Sequence, residues 1–268
     1  MIVELLDRRV LGAIAFVDGV TRQRVSTGLR VESDALTLRP QASGLYVIHG
    51  ADGFEKTIES FDEPAAPPPG APIHFAARVF DPERRYLARA FDVTLPRPST
   101  PVTDPTSVLV PLEVDLLPAS AMPVPARWAT WRVRVQIAGS VLKTGLANVL
   151  VRVTPQLAGF TTQLALTDAH GEALVVIPNA PSVMPSAGNG GGGGGTPVLV
   201  KQFEATVSLI VDASVARAEG ASVPPLADPQ RIVARSAPPQ AGVRVLTKPN
   251  VTLAAGRSVR SVIEVSFP

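Results

Sequence analysis

The sequence contains no cysteine, and this excludes several kinds of site at once. Without thiols the chain can form no disulfide, no zinc–thiolate centre and no cysteine nucleophile. Aromatic residues make up only 5% of the 268 residues, so stacking on bases or sugars has few side chains to use. The formal net charge is +2 and the basic residues are scattered, so we expect no nucleic-acid partner.

Long hydrophobic runs are also missing. No stretch approaches the roughly 18 apolar residues of a membrane-spanning helix. At the N-terminus, Glu4, Asp7 and Arg8 precede a short apolar run that ends at Asp18, a pattern unlike a signal peptide. We therefore expect no membrane span and no signal peptide, with synthesis in the cytoplasm and release only as part of an assembled particle.

Proline and glycine are abundant, with 27 and 21 residues. Because proline removes a backbone donor, its frequency disfavours long helices. The apolar runs between prolines alternate, as in WRVRVQI from Trp131 to Ile137, and alternation at every second residue predicts a half-buried strand. Such runs predict strands at 11–17, 28–33, 44–49, 73–80, 86–95, 131–137, 148–155, 161–167, 172–178, 203–211, 242–247 and 260–267.

Many short strands separated by turn residues favour β-sandwiches. The sequence predicts an all-β fold of two antiparallel β-sandwich modules, with 46% hydrophobic residues to fill their cores. A single helical turn is predicted within 211–221. Module 1 is predicted to cover 1–97 and module 2 to cover 128–268, and a proline-rich linker with one strand, in the run 108–117, spans 98–127.

A glycine-rich loop is predicted at 186–197. A phosphate-binding loop needs a lysine and a hydroxyl residue after its last glycine, whereas Thr196 and Pro197 follow here. Six consecutive glycines, Gly190–Gly195, instead behave as a flexible tether. A loop tip ordered by a neighbouring subunit is the alternative.

The two modules begin alike. Each has an alternating strand, a turn that contains Gly19 or Gly139, a second strand, and a later strand that starts at Gly44 or Gly171. Glycine at these starts supplies a backbone conformation that other residues adopt at a cost. The order predicts an internal repeat, with coincidental alternation of valine-rich strands as the alternative.

This residue order resembles the carboxypeptidase-regulatory-like, transthyretin-like family of small β-sandwiches. The matching residues are Asp18, Thr21, Val25, Leu29, Val31, Gly44, Leu45, Tyr46 and Val47 in module 1, and Thr144, Leu146, Val149, Val151, Thr167, Asp168, Gly171, Ala173 and Val176 in module 2. The resemblance implies modules that stabilise, space or adhere and are not catalytic. The run 80–98 also resembles proteins from phage-tail-like and contractile-injection gene clusters.

Candidate chemical residues are few. The histidines are His49, His74 and His170, and no two have a metal-ligand spacing. His74 lies in the run PIHFAARV, where alternation could bury it. If any of the three is functional, His170 beside Asp168 in the turn DAHG is the best candidate. We expect no catalytic, cofactor-binding or metal-binding residue, no cofactor and no enzymatic activity.

Paired charges have simpler explanations than catalysis. Acidic pairs occur at 62–63, 81–83 and 113–115, and we expect Glu113 and Asp115 to share the solvent face of a strand. The arginine pairs at 8–9 and 84–85 are typical of solvated sheet edges.

The sequence therefore predicts a non-catalytic structural or interaction subunit of a larger assembly, such as a phage-tail-like or contractile injection particle. Its partners would be other subunits or further copies of itself, contacted through loops 61–72, 96–127 and 186–197. The alternative is a carbohydrate- or surface-binding module, for which Trp128 and Trp131 are the strong aromatic candidates, although alternation predicts that Trp131 is buried. A hydrolase centred on His170 and Asp168 is a third hypothesis.

Overall fold

A computed structural model describes residues 7–8, 10–60, 70–180, 182–183, 199–200 and 202–267. Strands account for 49% of the structure and helices for 4%, so the predicted all-β fold is confirmed. The chain divides into two compact units. Unit 1 comprises residues 1–116 and 226–228, and unit 2 comprises residues 117–225 and 229–268.

Unit 1 is a sandwich of two sheets. Its elements are β1 (Asp7–Arg8), β2 (Gly12–Asp18), β3 (Arg30–Glu32), β4 (Leu36–Pro40), β5 (Leu45–Ala51), α1 (Glu55–Ile58), β6 (Glu59–Ser60), β7 (Ile73–Phe80), β8 (Arg89–Leu95) and β9 (Leu112–Leu116). One sheet has the order β4-β5-β2-β9 and the other β3-β7-β8, and β1 pairs with β6. Alternate residues of both sheets form the core, in which the Phe16 ring meets the edges of Tyr46 and Phe91.

Unit 2 is the larger sandwich. Its elements are β10 (Ala129–Ile137), β11 (Leu146–Ala147), β12 (Val149–Pro155), β13 (Gln163–Leu166), β14 (Glu172–Ile177), β15 (Ser182–Val183), β16 (Leu199–Val200), β17 (Gln202–Asp212), β18 (Arg217–Ala218), α2 (Pro229–Arg235), β19 (Val243–Ala254) and β20 (Ser258–Val265). A sheet β14-β10-β20 packs on a sheet β13-β12-β17-β19. Two short strand pairs, β11-β18 and β15-β16, also belong to unit 2.

The two units share a strand arrangement that corresponds to the predicted repeat. In unit 1, β2 pairs antiparallel with β5 and parallel with β9, and in unit 2, β10 pairs antiparallel with β14 and parallel with β20. The second sheets correspond as well, since β3-β7-β8 matches β12-β17-β19. Most strand pairs are antiparallel, as predicted, and each unit also contains one parallel pair, β2-β9 in unit 1 and β10-β20 in unit 2.

Glycine begins the same strand in both units, as predicted. Gly44 and Gly171 have φ values of +79° and +75°, in the left-handed region. A Cβ at Gly171 would lie 2.5 Å from the carbonyl oxygen of Val135, so the close approach to β10 also requires glycine.

The structure differs from the sequence prediction at three places. The helical turn expected in 211–221 is instead the end of β17, a turn and β18, and the helices are α1 and α2. The run 108–117 contributes β9 to unit 1, so unit 1 extends past the predicted module end at residue 97 into the predicted linker. Residues 226–228 return to unit 1, which local sequence patterns do not signal.

Candidate functional site

His170 and Asp168 lie in the turn between β13 and β14, and their side chains contact different groups. The Asp168 carboxylate accepts hydrogen bonds from the backbone N–H groups of His170 and Glu172, at 2.9 and 3.0 Å, and from the Ser120 hydroxyl at 2.7 Å. It therefore closes the turn and holds the preceding segment, as an aspartate commonly does.

The His170 ring contacts a different carboxylate. Its Nδ1 lies 2.8 Å from Oε1 of Glu219, and this hydrogen bond raises the pKa of His170 and lowers that of Glu219. Glu219 also accepts from Arg134 Nη2 and from the backbone N–H of Gly145, both at 3.1 Å. The His170 side chain is 71% exposed, so this arrangement fastens β18 beside the turn rather than enclosing a substrate.

The other two histidines lie in unit 1. His74, which alternation could have buried, is exposed, and its Nδ1 lies 3.0 Å from the Thr94 hydroxyl on the neighbouring strand. His49 lies half-buried on β5. Across the residues that the structure describes, no three His, Asp or Glu side chains are grouped so that they could hold a metal ion.

The acidic pairs take structural roles where they are described. Glu113 and Asp115 share one face of β9, as predicted, and both contact the Arg22 guanidinium. Asp81 is buried and accepts hydrogen bonds from the backbone and side chain of Arg85. The pair at 62–63, most of loop 61–72 and the whole of loop 186–197, including Gly190–Gly195, lie outside the described residues.

A basic groove lies on the outer face of sheet β14-β10-β20 in unit 2. It is an open pocket with a volume of about 570 Å³. Arg132 and Arg134 of β10, Arg260 of β20 and Glu172 of β14 contribute its charged side chains, and Ser120 contributes a hydroxyl. We call this pocket the arginine groove.

The arginine groove has positive charge that the described residues leave unneutralised. Arg134 is compensated by Glu219. Arg132 makes only a long contact, 3.4 Å, to the carbonyl oxygen of Met122, and Arg260 meets no hydrogen-bonding or acidic partner among the described residues. Arg132 and Arg260 stand directly opposite each other on paired strands, an arrangement of like charges that weakens a sheet.

The outer edge of β20 borders this groove. Backbone N–H groups of β10 donate to the carbonyl oxygens of Arg257 and Val265, so odd-numbered residues of β20 direct their backbone groups toward β10. In a parallel ladder the N–H and C=O of one residue point the same way. The even-numbered residues therefore direct theirs away from the sheet.

The two halves of this edge differ. Lys248 Nζ donates to the carbonyl oxygen of Glu264 at 2.9 Å, and Arg244 donates to that of Ser266 at 3.3 Å. Over Ser258–Val262 no described residue supplies such a contact, and the Val262 side chain is 58% exposed. We call this half the open edge of β20.

Sequence reasoning missed the arginine groove and the open edge. It assigned Arg132 and Arg134 to the polar face of a strand and recognised 260–267 as another strand. Strand pairing between residues about 130 positions apart brings Arg260 to Arg132, and no local pattern reports which strands become neighbours.

The positions of Trp128 and Trp131 fit a role in the core of unit 2 better than a platform for glycan binding. Trp131 is 2% exposed, which confirms its predicted burial, and its Nε1 donates to the Ser261 hydroxyl at 2.7 Å. Trp128 is half-buried beside a small pocket of about 200 Å³. Neither helix of the described structure is long and apolar enough to cross a membrane.

Comparison with known proteins adds little to this picture. No protein-family model matches the chain, and no curated protein matches it. A crystal structure of a candidate cell adhesion protein from Bacteroides fragilis NCTC 9343 is similar at 10% sequence identity, over 97% of this chain and 92% of that one. Its TM-score of 0.20 is too low to support an inference.

Proposed function

We propose that this chain is a non-catalytic structural or interaction subunit of a larger assembly, and that its two β-sandwich units serve to present binding surfaces. The observation that carries the proposal is the open edge of β20. An uncovered strand edge is a template for pairing with another chain, and soluble proteins usually protect it. The edge strand β19 of the other sheet contains Lys248 and Pro249, residue types that discourage such pairing.

The sequence resemblance extends the proposal to the kind of assembly. The two units are modules of the carboxypeptidase-regulatory-like, transthyretin-like type, and the assembly is a phage-tail-like or contractile injection particle. The repeated order of strands, with Gly44 and Gly171 at equivalent starts, supports the first statement. The resemblance of residues 80–98 supports the second.

The proposal is tested by the mass of the native complex. The chain is captured through a tag from its own host, and the eluate is separated by gel filtration and viewed by electron microscopy. We expect it in a particle far larger than its own 28.1 kDa, at fixed stoichiometry with repeating structural subunits. Recovery as a monomer under conditions that preserve such particles would overturn the proposal, and Trp128 variants would then be screened for glycan binding.

A further inference from the structure

We propose that the open edge of β20 and the arginine groove together bind an extended acidic segment of a partner protein, which adds to the sheet as a further strand. The inference rests on the proposed function, because an assembly subunit needs a surface for its neighbour. That neighbour is then a protein that presents an acidic segment in the extended conformation.

The backbone of the open edge supplies the first part of the site. Ser258, Arg260 and Val262 each direct an N–H and a C=O away from β10 and have no described partner for them. A segment in the extended conformation pairs with these groups through main-chain hydrogen bonds, as in other cases of strand addition. The contacts from Lys248 and Arg244 begin only at Glu264 and limit the addition to the first half of β20.

The side chains supply the second part. Arg260 and Val262 lie on the outer face of β20, and an added strand would lie about 4.8 Å away, with alternate side chains on that same face. A carboxylate at such a position meets the Arg260 guanidinium directly. Arg132, one strand further in and opposite Arg260, reinforces the attraction.

The apposed arginines also explain why an acidic segment is favoured. Like charges directly opposite each other on paired strands are unfavourable, and a shared carboxylate relieves the repulsion. Glu172 is the acidic side chain that lines the groove, and it lies opposite Arg134 rather than Arg132. Binding therefore converts an unfavourable pair into a charge-assisted contact.

Other occupants of the edge fit less well. A neutral strand would leave both guanidinium groups uncompensated, so the charge that discourages indiscriminate pairing selects an acidic partner. A second copy that paired antiparallel through its own β20 would keep the same face outward. It would extend the sheet with two further arginines instead of neutralising the first two.

The probe is a fluorescein-labelled peptide of eight residues in which glutamate alternates with threonine. Fluorescence anisotropy with the full-length chain measures its dissociation constant at low and at physiological salt. Two matched peptides separate the contributions, one with lysine in place of glutamate and one with N-methyl groups on alternate backbone nitrogens. We expect at least tenfold weaker binding for each, because the first loses the charge contacts and the second the main-chain hydrogen bonds.

Variants of the chain locate the site. R132Q/R260Q keeps polar side chains of similar length and should weaken binding of the glutamate peptide about tenfold or more and flatten its salt dependence. R231Q removes an exposed arginine of α2 as the matched control and should leave the affinity unchanged. V262P removes an N–H that points away from β10, so it should reduce binding while the sheet persists. Circular dichroism checks folding, and the N-methylated peptide tests the edge independently of V262P.

The outcomes are decisive in both directions. Equal affinity of R132Q/R260Q and the native chain, or equal affinity for the N-methylated and unmodified peptides, would overturn the inference. A dimer formed through β20, detected by sedimentation and abolished by V262P, would replace the acidic segment with a second copy. If the chain assembles in its host but does not bind the glutamate peptide, the inference fails and the proposed function stands. If it binds the peptide but is monomeric in its host, the proposed function fails.

Discussion

Replacing Arg89 with methionine is expected to destabilise unit 1 severely, because it removes a buried cation from its partners. The Arg89 side chain is 2% exposed, and its Nη2 lies 2.6 Å from Oδ1 of Asp228. Nη1 donates to the carbonyl oxygen of Asp115, and Nε donates to that of Ala90 at 3.2 Å. Burial lowers the pKa of Arg89, and the carboxylate of Asp228 opposes that effect.

The expected loss in the free energy of unfolding follows from the carboxylate that R89M leaves without the Arg89 cation. The Asp228 side chain is only 13% exposed and loses the cation that faces it. Removal of one member of a buried ion pair costs about 3–5 kcal/mol, a large part of the ~5–15 kcal/mol that stabilises a typical domain. R89M/D228N removes both charges, so we expect it to lose less than the sum of the single variants, with a coupling energy of about 1–3 kcal/mol.

Urea unfolding followed by circular dichroism measures the free energies of unfolding. Hydrogen exchange of peptides from β8 and from residues 226–228 locates the loss in unit 1. R78M is the control, since Arg78 meets the 95%-exposed side chain of Asp34, and exposed pairs contribute about 0–1 kcal/mol. An R89M variant as stable as R78M, or a double variant whose loss is additive, would refute the reasoning.

Three further predictions concern unit 2. Gly171→Ala should lower the melting temperature much more than Gly159→Ala, since both have positive φ but only the first Cβ meets neighbouring backbone; equal losses would contradict this. By NMR, His170 should titrate above its usual pKa of about 6.5 and return toward it in E219Q, with the contact present at low pH and lost as pH rises through the raised pKa. Trp131→Phe should cost about 1–3 kcal/mol in urea unfolding, because the indole hydrogen bond and buried volume are lost; a smaller change would place the ring outside the core.

Local sequence patterns predicted the strands well because alternation reflects which face of a strand is buried. Trp131 and the alternate residues of β10 lie in the core, whereas Glu113 and Asp115 share the solvent-facing side of β9. The suggestion that alternation could bury His74 misread this pattern, because His74 shares the exposed face of β7 with Arg78.

The candidate site was beyond the reach of these patterns. His170 and Asp168 attracted attention because they are adjacent in a turn, yet their partners, Glu219 and Ser120, come from distant parts of the chain. The two side chains therefore make separate contacts, which their adjacency in the sequence does not predict. The open edge of β20 likewise depends on which strands lie beside it. The residues of β20 do not indicate which of its two edges is paired.

The amino-acid sequence alone determined that this chain is all-β, where most strands lie, and that Gly44 and Gly171 begin equivalent strands. These features depend on interactions within a few residues, namely alternation, proline's missing donor and glycine's access to positive φ. Only the tertiary structure decided that β9 runs parallel to β2 and β20 to β10, that residues 226–228 join unit 1, and that Arg260 faces Arg132. These depend on pairing between distant segments, where packing of the whole core selects among strands whose local patterns are nearly the same.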